Sequence, residues 1–174
     1  MIEKPARKSF VKHSRWPLFL AAASIALLGA SESGGKGLSP EDRKHLLSGK
    51  LTIVHSTSDL PPKVKAAFAA LVHQPAFEMA EPDEPFQVGD TIMPGRRLLA
   101  RRLGFAAFDD TFCFVHYERG GIAHLYYVVA FGLEKGKDPV FRSGARMDAR
   151  LENLPALRDA VAAGKLHEPV ADSW

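Results

Sequence analysis

The clearest hydrophobic pattern in the chain lies between residues 111 and 133. Two runs of aromatic and β-branched residues, TFCFVHYE over 111–118 and IAHLYYVVAFGL over 122–133, are typical of β-strands. An Arg-Gly-Gly segment at 119–121 separates them, and glycines supply the positive φ angles of tight hairpins. The second run is apolar at odd and even positions alike, which favours a central strand covered on both sides. We therefore predict a central hairpin over residues 111–133.

Capping residues and apolar spacing predict three helices around this hairpin. Ser39 precedes a proline and two acidic residues, which is typical of the start of a helix, here over 40–48. A second helix is predicted over 61–72, and a third follows Asn153 and ends at Gly164. Their predicted inward residues are Val64, Phe68, Leu71 and Val72 in the second helix, and Leu154, Leu157, Ala160 and Val161 in the third.

Further strand-like segments complete the predicted fold. Residues 51–55 and 140–146 are predicted to be strands. Residues 96–105 fit either a strand or a helix, and the strand is preferred. Helices followed by antiparallel strands and a last helix indicate an α+β fold. We predict one globular domain over residues 39–174, in which helices pack on one face of an antiparallel β-meander of about three to five strands.

The first thirty residues form a separate region. Residues 1–15 hold five basic residues and one acidic residue, and the fifteen residues that follow carry no charge. A membrane-spanning helix needs about 20 apolar residues, so this shorter stretch is typical of a secretory signal. We predict that residues 1–30 are a signal peptide or an uncleaved membrane anchor, because no clean small-residue cleavage site follows. The Gly/Ser-rich residues 31–38 are predicted to be a flexible spacer.

The basic start of this leader bears on the route of export. The segment RKSFVK at residues 7–12 resembles a twin-arginine export signal, with lysine in place of the second arginine and valine in place of the usual leucine. Because of that lysine, the general secretory route is preferred. Either route predicts an exported protein that is periplasmic or secreted, or held facing outward by a single inner-membrane anchor.

The charge distribution argues against nucleic-acid binding. The chain has a net charge of +3, but residues 1–15 alone carry +4, so the rest of the chain carries −1. The rest of the chain holds 18 basic and 19 acidic residues. A nucleic-acid-binding domain carries its positive charge on the folded part, where it neutralises phosphates. We therefore predict no nucleic-acid partner, and contact with a membrane only through the N-terminal segment.

An acidic segment at residues 75–95 precedes a cluster of arginines. The segment has no basic residue, and it is followed at once by Arg96, Arg97, Arg101 and Arg102. Such a pair of segments could bind a ligand. The simpler interpretation, which we favour, is that their charges compensate each other at the surface.

The predicted hairpin carries one group of side chains that could form a functional site: His116, Glu118 and His124. These residue types act as metal ligands and as acid–base groups. A three-residue loop would bring all three to one face, as a zinc site requires, whereas a two-residue loop puts the histidines on opposite faces. The two-residue loop is the commoner connection, so we predict opposite faces, packing roles, and no bound metal or cofactor. The lone Cys113, between apolar neighbours, is predicted to be a buried and inert thiol.

Three functions remain open from the sequence alone. The preferred one is a small exported cell-envelope protein with a non-catalytic binding domain, whose partner is an envelope protein or a small ligand. The second is a hydrolase-like or metal-dependent enzyme that uses His116, Glu118 and His124 as catalytic residues. The third is a membrane-tethered structural protein.

Overall fold

Antiparallel strands that follow each other in chain order form the sheet of this protein. The computed structural model describes residues 37–90, 95, 97–169 and 174. Within them lie five strands and three α-helices, which confirms the predicted α+β meander. In chain order they are α1 (Pro40–Ser48), β1 (Thr52–Val54), α2 (Pro62–Leu71), β2 (Arg101–Phe108), β3 (Phe112–Arg119), β4 (Leu125–Gly132), β5 (Val140–Met147) and α3 (Leu154–Ala162), with a one-turn 3-10 helix at Thr57–Asp59 before α2.

Side-chain caps fix the starts of two helices as predicted. The Ser39 hydroxyl accepts a hydrogen bond from the Asp42 main-chain nitrogen at 3.1 Å, which satisfies one free donor at the start of α1. The Asn153 side chain accepts from the Ala156 nitrogen at 2.9 Å and caps α3 in the same way. Local sequence therefore determines where these two helices begin.

The helices lie on both faces of the sheet, so the prediction of helices on one face is wrong. Residues of β3 alternate between two separate apolar clusters, because successive side chains of a strand point to opposite faces. Phe114 packs with α1 and α3, whereas Cys113 and Val115 pack with α2. Below, these are called the α1/α3 face and the α2 face. The strand interiors are apolar at consecutive positions because both faces need cover.

A bulge in β2 changes which side chains face which helix. The register of β2 against β3 shifts by one residue between Leu103 and Phe105. Arg101 and Leu103 consequently share the α2 face, whereas Phe105 beyond the bulge lies in the α1/α3 cluster. Gly104 lies at the position of this register shift, and a Cβ atom there would lie 2.7 Å from the ring of His116.

A buried carboxylate attaches α1 to the edge strand β5. Asp42 is fully buried, accepts a hydrogen bond from the Ser143 hydroxyl, and lies 2.7 Å from Nε of Arg142. The paired arginine and the hydroxyl offset the cost of removing this carboxylate from water.

The predicted leader, residues 1–30, and most of the predicted spacer lie outside the described residues. Leu38, the last residue assigned to the spacer, is buried in the cluster on the α1/α3 face, so the packed domain includes it. Among the described residues, no helix is both long and apolar enough to cross a membrane.

Candidate functional site

The loop between β3 and β4 is longer than predicted. The strands pair up to Arg119 and Leu125, which leaves a five-residue connection over 120–124. The Gly120 nitrogen donates to the Ala100 carbonyl at 2.9 Å instead of closing a tight turn. A Cβ atom at Gly120 would lie 1.6 Å from the main-chain oxygen of Gln87, so the glycine permits a close approach of two chain segments.

This loop brings part of the predicted histidine cluster together. His116 and Glu118 are two residues apart in β3 and share one face, and His124 reaches Glu118 from the loop. The predicted placement of the histidines on opposite faces is therefore wrong. The connection has five residues, and an odd number of connecting residues keeps His124 on the face of His116 and Glu118.

His116 is held by the main chain on both sides of its ring. Nδ1 lies 2.8 Å from the Tyr127 carbonyl oxygen, and the Leu151 nitrogen donates to Nε2 at 3.1 Å. Nε2 is therefore the acceptor, and Nδ1 carries the proton and donates it. Burial lowers the pKa of His116 to about 4, which keeps the ring neutral. Both nitrogens are occupied, so His116 has no free position for a metal or a substrate proton.

Glu118 is buried and surrounded by cations. Its Oε1 lies 3.0 Å from Nε of Arg102 and 3.4 Å from Nε of Arg150, while Oε2 lies 2.9 Å from Nε2 of His124. The side chain is only 1% exposed. The Arg102 guanidinium in turn stacks over the ring of Phe86, with 4.4 Å between the carbon and the ring centre. The carboxylate is thus fully engaged inside the protein.

His124 is the most accessible member of the cluster. Its side chain is 31% exposed and lies edge-on to Phe86, with ring centres 5.6 Å apart. A carboxylate that holds one ring nitrogen orients the other for proton transfer. Within the described residues, no three or more His, Cys, Asp or Glu side chains are grouped so as to hold a metal ion. Glu118 and His124 form a pair, and His116 takes no part in it.

A second polar group lies on the α2 face at the same end of the sheet. Arg101 and Arg119 are direct partners in the β2–β3 ladder, and no Asp or Glu side chain of the described residues lies within 4 Å of either. One Nη of Arg101 donates to the main-chain oxygen of Trp174 at 2.6 Å. Burial lowers the pKa of Arg101, the adjacent Arg119 lowers it further, and Tyr117 opposes both effects.

Three buried polar atoms around these arginines have no hydrogen-bond partner among the described residues. They are Nε of Arg101 and the hydroxyl oxygens of Tyr117 and Tyr127. Burial raises the pKa of Tyr117, so its hydroxyl stays protonated and can donate. Beside them lies a cavity of about 150 Å³, lined by Leu71, Val72, His73, Arg101, Arg119 and Trp174.

The sequence contained one signal for this second group, the arginine cluster after the acidic segment. Arg97 is the one of these arginines that pairs with that segment in the described part of the chain, at 2.6 Å from Glu78. Arg96 lies outside the described residues. Compensation at the surface thus applies to Arg97, whereas Arg101 and Arg102 point to opposite faces of the sheet because they are adjacent in β2.

Cys113 and the turn before β3 have structural roles. Cys113 is buried, and burial raises the pKa of its thiol to about 12, as expected for an inert residue. Asp109 accepts from the Thr111 and Phe112 nitrogens at 2.7 and 2.9 Å, which builds the turn between β2 and β3.

A scan of known protein families, a search of curated proteins and a search of solved structures each found no match for this chain.

Proposed function

We propose that this chain is an exported, non-catalytic binding domain that takes an anionic ligand at one end of its sheet. This end, called the cationic end below, comprises Arg101 and Arg119 on the α2 face and Arg102, Arg150 and Glu118 on the α1/α3 face. The export half of the proposal rests on the basic and apolar pattern of residues 1–30.

The observation that supports binding is the charge balance of the cationic end. Its four arginines have one Asp or Glu side chain among the described residues within 4 Å, Glu118, which Arg102 and Arg150 share. Like charges directly opposite each other on neighbouring strands are destabilising, and burial of an unpaired charge adds to that cost. An anion between Arg101 and Arg119 would offset both.

The internal contacts of the other candidates favour binding over catalysis. Glu118 is engaged by three cationic or imidazole partners, and both nitrogens of His116 bind main-chain groups. A general base needs a free lone pair within reach of the substrate proton. One observation favours acid–base chemistry as a second candidate function: His124 is half-exposed and is oriented by Glu118 at 2.9 Å.

Titration with inorganic anions tests the binding proposal. The full chain in neutral detergent is followed by amide NMR signals while sodium sulfate or phosphate replaces sodium chloride at constant ionic strength. We expect saturable shifts confined to the starts of β2 and β4 and the end of β3. Lys44→Gln, which removes one charge from exposed α1, is the matched control and keeps the wild-type shifts. Shifts that never saturate, or that spread evenly over the surface, would contradict the proposal.

A further inference from the structure

We propose that the cavity beside Arg101 and Arg119 binds a small organic acid, with its oxyanion between the two guanidinium groups and its apolar body against Leu71, Val72 and the Trp174 indole. This inference rests on the proposed function, because it assigns the anionic ligand to the α2 face of the cationic end.

Arg101 and Arg119 both line the cavity. A guanidinium has five N–H donors in a planar fork that matches a carboxylate or a phosphate. Arg101 uses one Nη on the Trp174 oxygen, while its Nε has no partner among the described residues. Arg119 lies directly opposite Arg101 in the β2–β3 ladder. Buried donors without acceptors are rare in native proteins, and an oxyanion accepts from several at once.

The size and lining of the cavity suit a small organic acid. Its volume of about 150 Å³ is large enough for a molecule of about the size of benzene. Polar and apolar groups both line it: Arg101, Arg119 and His73, and Leu71, Val72 and Trp174. An inorganic anion would contact the first set alone, whereas an acid with a short apolar body contacts both.

Trp174 places its main-chain oxygen on Arg101 and its indole beside two other aromatic rings. Its ring centre lies 5.3 Å from that of Phe141 and 6.0 Å from that of Tyr127. The indole fits because residue 144 is glycine: a Cβ atom there would lie 2.5 Å from two indole carbons. The Trp174 oxygen accepts from one nitrogen of Arg101, and no Asp or Glu side chain of the described residues lies within 4 Å of Arg119. An added oxyanion would therefore be the partner of Arg119.

Trp174 also provides the readout. In a Trp16→Phe background, the full chain in neutral detergent has Trp174 as its one tryptophan. Benzoate is the probe, benzamide is its uncharged counterpart of the same shape, and inorganic phosphate is an anion without an apolar body. We expect benzoate to change Trp174 fluorescence saturably and to raise the melting temperature. Benzamide should bind about tenfold more weakly or worse, since a charged hydrogen bond contributes at least that factor.

Two variants locate the site. Arg119→Gln should weaken benzoate binding about tenfold, whereas Lys44→Gln should leave it unchanged. Leu71→Phe keeps both arginines and fills the cavity, so it should abolish benzoate binding without removing charge. Circular dichroism establishes that each variant is folded. If Arg119→Gln does not fold, benzoate binding to Leu71→Phe is the test of the site.

The outcomes separate this inference from the proposed function. Equal binding of benzoate and benzamide, or benzoate binding that survives Leu71→Phe, would overturn the organic-acid site. Phosphate binding at the cationic end with no response to benzoate would also overturn it, while the proposed function would stand. If neither anion binds and Arg119→Gln lowers the melting temperature, the arginines only anchor Trp174 and both proposals fail.

Discussion

Gly104 lies directly against the imidazole of His116. A Cβ atom at position 104 would come within 2.7 Å of Cδ2 and 3.2 Å of the main-chain oxygen of that buried residue. The bulge in β2 and the buried histidine of β3 therefore pack against each other, and the imidazole fits because residue 104 has no side chain.

Gly104→Ala should therefore destabilise the fold. His116 cannot move away, because main-chain groups hold both of its ring nitrogens. Overpacking of this kind costs about 1–3 kcal/mol. Urea unfolding of the full chain in detergent measures the loss. The matched control is Gly89→Ala, where an added Cβ atom would meet nothing within 4 Å. Equal stability of the two variants would contradict the close contact.

His116 should make stability depend on pH in the acid range. Burial lowers its folded pKa to about 4, whereas an unfolded histidine titrates near about 6.5. Below about 6.5 the unfolded chain binds this proton first, so stability falls as the pH drops towards about 4. The full contribution, present above that window, is about 3 kcal/mol.

Urea unfolding at several pH values between about 7.5 and 4 measures this dependence. His116→Gln retains one donor and one acceptor but cannot titrate, so it should flatten the slope. His55→Gln, at an exposed site, should keep the slope of the unaltered protein. An unchanged slope in His116→Gln would show that another group carries the effect.

Glu118→Gln should destabilise the cationic end. The change keeps the shape of the side chain and removes the one negative charge that Arg102 and Arg150 share. Loss of a hydrogen-bonded buried charge partner costs about 2–3 kcal/mol. The control is Glu134→Gln, where an exposed carboxylate pairs with Lys137, and there we expect an unchanged melting temperature. Comparable melting temperatures for the two variants would mean that the contacts of Glu118 with Arg102 and Arg150 do not stabilise the fold.

The leader is predicted to direct export. Residues 1–40 fused to a reporter that is active only outside the cytoplasm should produce a signal. Replacement of the apolar residues 18–20 by charged residues should abolish it, because an uncharged core is needed for insertion. Substitution of Ser9 by alanine leaves the apolar core intact and is the control. Full-length protein found wholly in the cytosol would contradict the prediction.

Local signals in the sequence were sufficient for the elements of the fold. Caps at Ser39 and Asn153 and the apolar runs around residues 111–133 predicted α1, α3, β3 and β4 close to their observed bounds. These signals depend on residues within a few positions of each other. The meander order followed from them, whereas the number of strands was predicted only as about three to five.

The arrangement of side chains between elements was less accessible. The face of each arginine in β2 depends on the bulge at Gly104, and the length of the 120–124 loop depends on contacts with Gln87 and Ala100. Both are long-range packing effects that no local pattern encodes. The pairing of Glu118 with Arg102 and the position of Trp174 over Gly144 follow from them and from the fold as a whole.

The strand order has a consequence for the order in which the chain folds. Three of the strand pairings, β2–β3, β3–β4 and β4–β5, join strands separated by a short connection, so each closes a short loop at small entropic cost. The β1–β2 pairing spans a much longer stretch of chain that includes α2. The attachment of α1 differs, because Asp42 and Arg142 are 100 residues apart. In a chain that emerges from its N-terminus, α1 appears first and its partner strand β5 appears last. We therefore expect β2, β3, β4 and β5 to pair in chain order, β1 to join them later, and α1 to dock as the closing step.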